Sequence, residues 1–219
     1  MSSLFISFEG GEGAGKSTQA KFLAAFLRSQ GYTVVLTREP GGTDLGVTIR
    51  QLFLDLDRAI TPVTELYLLL ADRSHHVSHL IRPALAEGMI VITDRFCDST
   101  VAYQGFGHGL DCNLIYSLNK IATGGLLPDI TFWLDVDPQV GLERAKAKKL
   151  HRDRLENLDL TFHHRVRSGF QYIWQREGDR VKRIDGNLAA ETVSQTIVEL
   201  LKEYPLPALE QRKKAKPEH

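Results

Sequence analysis

The chain has 219 residues, of which 42% are hydrophobic, and 27 basic side chains balance 27 acidic ones for a formal net charge of zero. This composition excludes disordered and collagen-like chains, and the charge balance excludes a general attraction to nucleic acid or anionic lipid, so any anion site must come from local clustering. A chain of this length buries about 70% of its unfolded surface on folding, and one domain over residues 1–204 is expected.

In chain order, the apolar run LFISFE precedes a helical pattern from Gly15 to Gln30, YTVVLT precedes one from Asp44 to Asp55, and after Thr61-Pro62 a long amphipathic stretch reaches Glu87. MIVITD, DITFWLDV and RVKRID follow, each with helix-like sequence behind it. Strands apolar on both sides that alternate with helices predict an α/β fold, a parallel sheet covered by helices on both faces. Gly31 and Gly88 mark helix ends, while Thr61-Pro62 and Asp137-Pro138 mark starts. From Pro205 onward the chain is charged and poor in apolar residues, so 205–219 is expected to fray, and its RKKAK run is read as solvated rather than as nucleic-acid-binding. Cys97 and Cys112 have no metal-ligand spacing and read as two reduced thiols. The N-terminal apolar run is too short for a signal or an anchor, so a cytoplasmic protein without membrane or nucleic-acid partners is expected.

The stretch EGGEGAGKST has too little side-chain surface to pack a core, so its use lies in its backbone. Gly10, Gly15, Lys16 and Ser17 satisfy G-x-x-x-x-G-K-[ST] between a predicted strand and a predicted helix. Such a loop turns successive N–H groups inward and adds the positive end of the following helix, making a phosphate cradle. Gly10, Gly11, Glu12, Gly13, Ala14, Gly15, Lys16, Ser17 and Thr18 are therefore expected to hold ATP, with Lys16 on the β- and γ-phosphates and Ser17 on Mg2+.

A guanine-reading N-K-x-D is missing: Asn119-Lys120-Ile121-Ala122 lacks the aspartate and falls in a helical pattern. Motor and transport ATPases need further domains for which the length leaves little room. A small kinase remains, and it requires a second anion site facing the γ-phosphate. Candidates are Arg38, Arg50, Arg73 and Arg95, two of them just past predicted strands at the sheet edge where α/β ligands bind. Asp94 ends the run MIVIT, a place from which a carboxylate can act on a metal ion or its waters.

FEGGEGAGKST, TREPGGT, ADR, DRFCDSTVAYQG and the basic ERAKAKKLHRDRLE occur in one order, and with them the chain resembles the bacterial thymidylate kinases up to about residue 203. The resemblance implies a P-loop kinase with a five-stranded parallel sheet, transfer of the ATP γ-phosphoryl group to dTMP, Mg2+ dependence and a homodimer. It further implies Glu12 near the dTMP sugar or metal, Arg95 and Arg50 on the acceptor phosphate, Arg73 on thymine O4, and Ser99, Thr100 and Gln104 along the base. Tyr103 is implied under the sugar, where a ribose 2′-hydroxyl would clash. The family often has a phenylalanine four residues before the arginine of ADR, stacked on thymine; Leu69 stands there, so hydrogen bonds and aliphatic packing are expected to hold the base.

Residues 141–157 concentrate Arg144, Lys146, Lys148, Lys149, Arg152 and Arg154, with Arg144, Lys148 and Arg152 on one side of a helix. Alone, such a run reads as a solvated helix. In the family, however, enzymes without a basic residue between the loop glycines, as in Gly11-Glu12-Gly13-Ala14, carry their catalytic arginine in this lid, which makes Arg152 and Arg154 catalytic candidates beside Lys16 and Arg95. His75 and His79 read as an exposed helix face rather than a zinc pair, and His163-His164 as unremarkable.

Overall fold

Five apolar runs become five strands, β1 (Leu4–Glu9), β2 (Val34–Arg38), β3 (Ile90–Asp94), β4 (Ile130–Asp135) and β5 (Val181–Asp185). In the computed structural model, which describes residues 3–54, 60–148, 154–155 and 157–206, they form one sheet in the order β2-β3-β1-β4-β5. All four pairings are parallel. The chain leaves β1 toward β2 on one side and later crosses to β4 on the other, so the C-terminal ends of β1 and β3 flank a switch point where α/β ligands bind.

Both faces of the sheet are covered, as the two-sided apolar strands require. Leu4, Ile6 and Phe8 of β1 pack with Leu23 and Leu27 of α1 (Lys16–Ser29) and with Val193 and Ile197 of α9 (Ala190–Leu201). Phe5 points the other way, into a cluster with Val77, Ile81 and Phe96. Trp133 of β4 and Val181 of β5 join Phe170 and Ile173 of α8 (Leu160–Arg176) on that same side of the sheet.

Helix ends follow local chemistry. Thr61 accepts the Thr64 N–H at 3.2 Å and Pro62 sits in the first turn of α3 (Pro62–His76), while Gly31 and Gly88 end helices with positive φ. The long stretch to Glu87 is helical but not uniform: α3 passes through a π-helical segment, Val77–Ile81, into α4 (Arg82–Ala86). A second π-helical segment, Val101–Gly107, follows the short α5 (Cys97–Thr100). Nothing in the apolar spacing foretold either. The helix from Asp44 is α2 (Asp44–Leu54), and Asp55 lies outside the described residues. The remaining helices are α6 (Cys112–Thr123) and α7 (Pro138–Lys148). Of the expected tail only Pro205 and Leu206 are described. Among the described residues no helix is long and apolar enough to cross a membrane.

Candidate active site

The loop between β1 and α1 is shaped by Gly10 at φ 142°, Gly13 at 64° and Gly15 at 93°, values that side-chain-bearing residues rarely adopt. The resulting cavity is walled by residues 12 to 18, with Arg38, Arg50, Asp94 and Arg95 facing them from β2, α2 and β3. Lys16 donates to the Gly11 carbonyl at 2.6 Å, and Ser17 donates its hydroxyl to Asp94 Oδ2. Lys16 is not the solvent-facing lysine that its loop position suggests; it is only 7% exposed. Burial, and then the Arg95 charge beside it, bring its ammonium down to about 8, even though Glu12 and Asp94 pull the other way. An anion placed between the two cations reverses that penalty.

The loop is also held from outside. A Cβ on Gly13 would come within 1.9 Å of the Gly141 carbonyl oxygen, and one on Gly141 within 2.3 Å of the Glu12 carbonyl oxygen. The first turns of α7 thus rest directly on loop backbone.

A second cavity adjoins the first and shares Glu12, Glu39, Arg50 and Arg95 with it. Arg95 stands at this junction. It donates to Glu12 at 2.7 Å, Gly10 O at 3.1 Å, Ser99 at 3.0 Å and Tyr103 Oη at 3.0 Å, and its guanidinium lies 4.8 Å from the Tyr103 ring centroid. Burial pushes the Glu12 carboxyl upward, but Arg95 and Lys16 outweigh it and hold the group down at about 2. Asp94-Arg95 is therefore no surface ion pair, since Arg95 turns inward to Glu12.

The far end of this cavity is closed by Leu69, Arg73, Thr100, Gln104 and Phe53. Arg73 is 2% exposed and wired on several sides: Nε to Glu39 at 2.8 Å, Nη1 to Thr100 at 2.9 Å and Asn119 at 2.6 Å, Nη2 to Phe96 O at 3.0 Å. Glu39 is held in turn by His76 at 2.9 Å, and His76 by Thr37 at 2.7 Å. Gln104 donates to the fully buried Glu65 and retains a buried Oε1 without a hydrogen-bond partner.

All nine expected acceptor residues, Glu12, Arg50, Leu69, Arg73, Arg95, Ser99, Thr100, Tyr103 and Gln104, line this one cavity. Leu69 faces it, whereas Tyr67 points outward and is 62% exposed. The aromatic ring at this end comes instead from Phe53 of α2, a position whose only sequence signal was its spacing, one helical turn after Arg50. Asn119, met in sequence as part of a failed guanine motif, accepts from Arg73.

Two expectations are corrected, those for Arg154 and His163. Arg154 does not face the phosphate loop; it is bound to Glu65, donates to Phe53 O at 3.1 Å and stacks 5.2 Å from the Phe53 ring centroid, at the far end of the second cavity. Arg144 likewise turns away, donating to Gly186 O at 2.8 Å. His163 is a buried residue, 4% exposed, in a small cavity with Glu12 and Arg167, not an unremarkable surface histidine. Arg152, Lys149 and the Lys148 side chain lie outside the described residues. His75 and His79 do stack, centroids 3.9 Å apart, on the outer side of their helix.

A phosphate loop at a parallel-sheet switch point, opening into a guanidinium-lined cavity for a second small molecule, defines a P-loop phosphotransferase. A family model described as thymidylate kinase matches residues 8–197. A thymidylate kinase of Trichormus variabilis is 49% identical over 203 residues, covering 92% of this chain and 96% of that one. One from a Synechococcus species is 55% identical over 181 residues, covering 83% and 85%. The crystal structure of a thymidylate kinase from Ehrlichia chaffeensis superposes with a TM-score of 0.76 at 38% identity, over 92% of this chain and 99% of that one. The chain belongs to the thymidylate kinase family.

Proposed function

We propose that residues 1–204 form a single catalytic domain that transfers the γ-phosphoryl group of ATP to dTMP, giving ADP and dTDP. The observation that carries this reading is the shared wall of the two cavities: Glu12, Arg50 and Arg95 border both, so a donor phosphate chain in the loop and an acceptor phosphate meet at one point. Lys16 draws charge from the β- and γ-phosphates as the bond to the leaving ADP loosens. Arg95 and Arg50 hold the acceptor phosphate in line, Arg95 exchanging its Glu12 partner for it. Positioned, desolvated charges of this kind supply most of the rate in phosphoryl transfer.

Four hydrogen bonds occupy Arg73, and its remaining N–H is suited to the thymine O4. Tyr103 lies beneath the sugar, its hydroxyl 2.8 Å from Glu12. Phe53 and Leu69 pack on the base, with Ser99, Thr100 and Gln104 along its edges.

Ser17 and Asp94 are hard oxygen donors brought into contact at the mouth of the loop, which fits Mg2+. Ser17 would ligate the ion and Asp94 would hold it or its waters. When bound, Mg2+ neutralises charge on the β- and γ-phosphate oxygens. The lid supplies a further guanidinium. Arg154 can do so only by leaving Glu65, and Arg152 is the other candidate carrier. Two cysteines without a disulfide suit a cytoplasmic protein. Exposed Val63 and Tyr67 of α3, beside Leu114 and Ile121 of α6, suit a homodimer face, and sedimentation of the protein at several concentrations tests it.

The functional test is ADP release from ATP with each nucleoside monophosphate in turn. dTMP should be strongly preferred and release should need Mg2+; equal turnover with water alone or with any monophosphate would overturn the proposal.

A further inference from the structure

Arg95 is, among the described residues, the one non-glycine with positive φ, at 73°. A side-chain-bearing residue is strained in that conformation, so its surroundings must impose it. Three contacts do. The Arg95 N–H donates to Phe8 O at 2.9 Å, and the Thr93 hydroxyl donates to the Arg95 carbonyl at 2.9 Å. The next amide, Phe96 N–H, donates at 2.7 Å to Glu9 Oε1.

Glu9 is the last residue of β1, has no exposure to solvent, and borders neither the donor nor the acceptor cavity. Its second oxygen, Oε2, accepts the Ser99 hydroxyl at 2.5 Å. With that proton committed, the Ser99 oxygen is left as an acceptor, and Arg95 Nη1 donates to it at 3.0 Å. One carboxyl group therefore sets both ends of Arg95: the backbone turn from which it projects and the rotor against which its guanidinium rests. Phe96, held by Glu9 at its backbone nitrogen, is held at its carbonyl oxygen by Arg73 Nη2, at 3.0 Å. Arg95 and Arg73, at opposite ends of the second cavity, are thereby tied through a single residue.

A buried acid here is costly. Burial, with the Asp98 charge close by, raises the Glu9 carboxyl to about 8. Asp98 is itself clamped by Arg180 through two bonds of 2.9 and 3.0 Å. A fold that needed only packing at this position would be served by an apolar side chain.

We propose that Glu9 is a positioning residue for acceptor binding, which acts through Arg95 by fixing its left-handed turn and its Ser99 contact. The inference rests on the dTMP kinase reading above. Glu9→Gln keeps the size of the side chain and can still accept from Phe96, but replaces the acceptor for Ser99 with a donor. Four quantities decide: the KM for dTMP, the KM for ATP, inhibition by thymidine, which lacks the 5′-phosphate, and the unfolding temperature. The expected result is a rise of about tenfold or more in the KM for dTMP, the size of a lost charge-assisted contact, with the ATP KM and thymidine inhibition within twofold of wild type. In an Arg95→Ala background the same change should add nothing. Equal weakening of dTMP and thymidine, a matching rise in the ATP KM, or wild-type values throughout would overturn it. Glu9→Asp is read by the same ratio if the glutamine variant does not fold, since the carboxyl group remains but the shorter stem cannot span both Phe96 and Ser99. Wild-type enzyme that fails to phosphorylate dTMP would instead overturn the underlying reading.

Discussion

The donor and acceptor ends of the site are made in opposite ways. The donor end is one continuous stretch, residues 10 to 18, whose three positive-φ glycines expose backbone and whose charged anchors are Lys16, the Ser17–Asp94 pair and Glu12, paired with Arg95. The acceptor end takes side chains from the loops that follow β1, β2 and β3, from α2, α3, α5 and the π-helical segment after it, and most of its polar groups are already bonded to one another before any ligand arrives. A phosphate chain is the same in every nucleotide, so backbone suffices to hold it. A particular base and sugar need side chains in fixed places, and buried networks fix them.

If the acceptor end is prewired, breaking its hub should cost stability before it costs chemistry. Arg73→Met strands Glu39, Asn119 and Thr100 without their donor, and removal of one partner from a buried ion pair typically costs about 3–5 kcal/mol. Urea unfolding should show a loss of that size; a loss below about 1 kcal/mol would make the network a convenience of packing.

The donor end should behave in reverse. Lys16→Ala removes a desolvated cation whose charged form the fold disfavours, so the unfolding temperature should stay at or slightly above that of wild type. Turnover should fall by about 10²–10³-fold, as when one preorganised donor to a transition state is lost. Turnover within tenfold of wild type would end the cradle assignment.

The junction between the ends is open to titration. Because Arg95 and Lys16 hold Glu12 near 2 against an ordinary 4.5, its carboxylate contributes stability that is complete above about pH 4.5 and lost as pH falls toward 2. The full difference is up to about 3 kcal/mol. Chemical unfolding of wild type and Glu12→Gln across this range should converge at the acid end. Parallel curves would mean that the Glu12–Arg95 pair is not maintained in solution.

The smallest expected effect sharpens the role of the base end. In the proposed pose dCMP would set an amino group against the Arg73 donor and its N3 acceptor against the Gln104 oxygen, which has no hydrogen-bond partner. An unmatched buried polar group costs about 1–3 kcal/mol, so kcat/KM should favour dTMP by roughly tenfold or more. Equal use of the two would show that the pocket reads shape alone.

The same division explains what was legible in the amino-acid order. The donor loop, the five strands and their helices are local patterns, and the α/β fold followed from them. The acceptor residues could be placed only by family resemblance, because their partners are far away in sequence: Arg73 meets Asn119 across 46 positions and Glu12 meets Tyr103 across 91. Periodicity carries no information about such contacts. The burial of Lys16, the attachment of Arg154 to Glu65 and the left-handed turn at Arg95 had no sequence signal either, since each depends on what a neighbouring element brings up beside it. Phe53 was missed for a different reason: one helical turn after Arg50, it reads as ordinary core spacing.

The glycine-to-glycine contact between the phosphate loop and α7 has a mechanical meaning. Side chains normally cushion two packed segments, because rotamers can adjust when one of them shifts. At Gly13 and Gly141 there is no cushion, only carbonyl oxygen against Cα. Any adjustment of the loop as a nucleotide settles into it is passed undamped to the root of the basic helix, as a push on one end of a stiff lever.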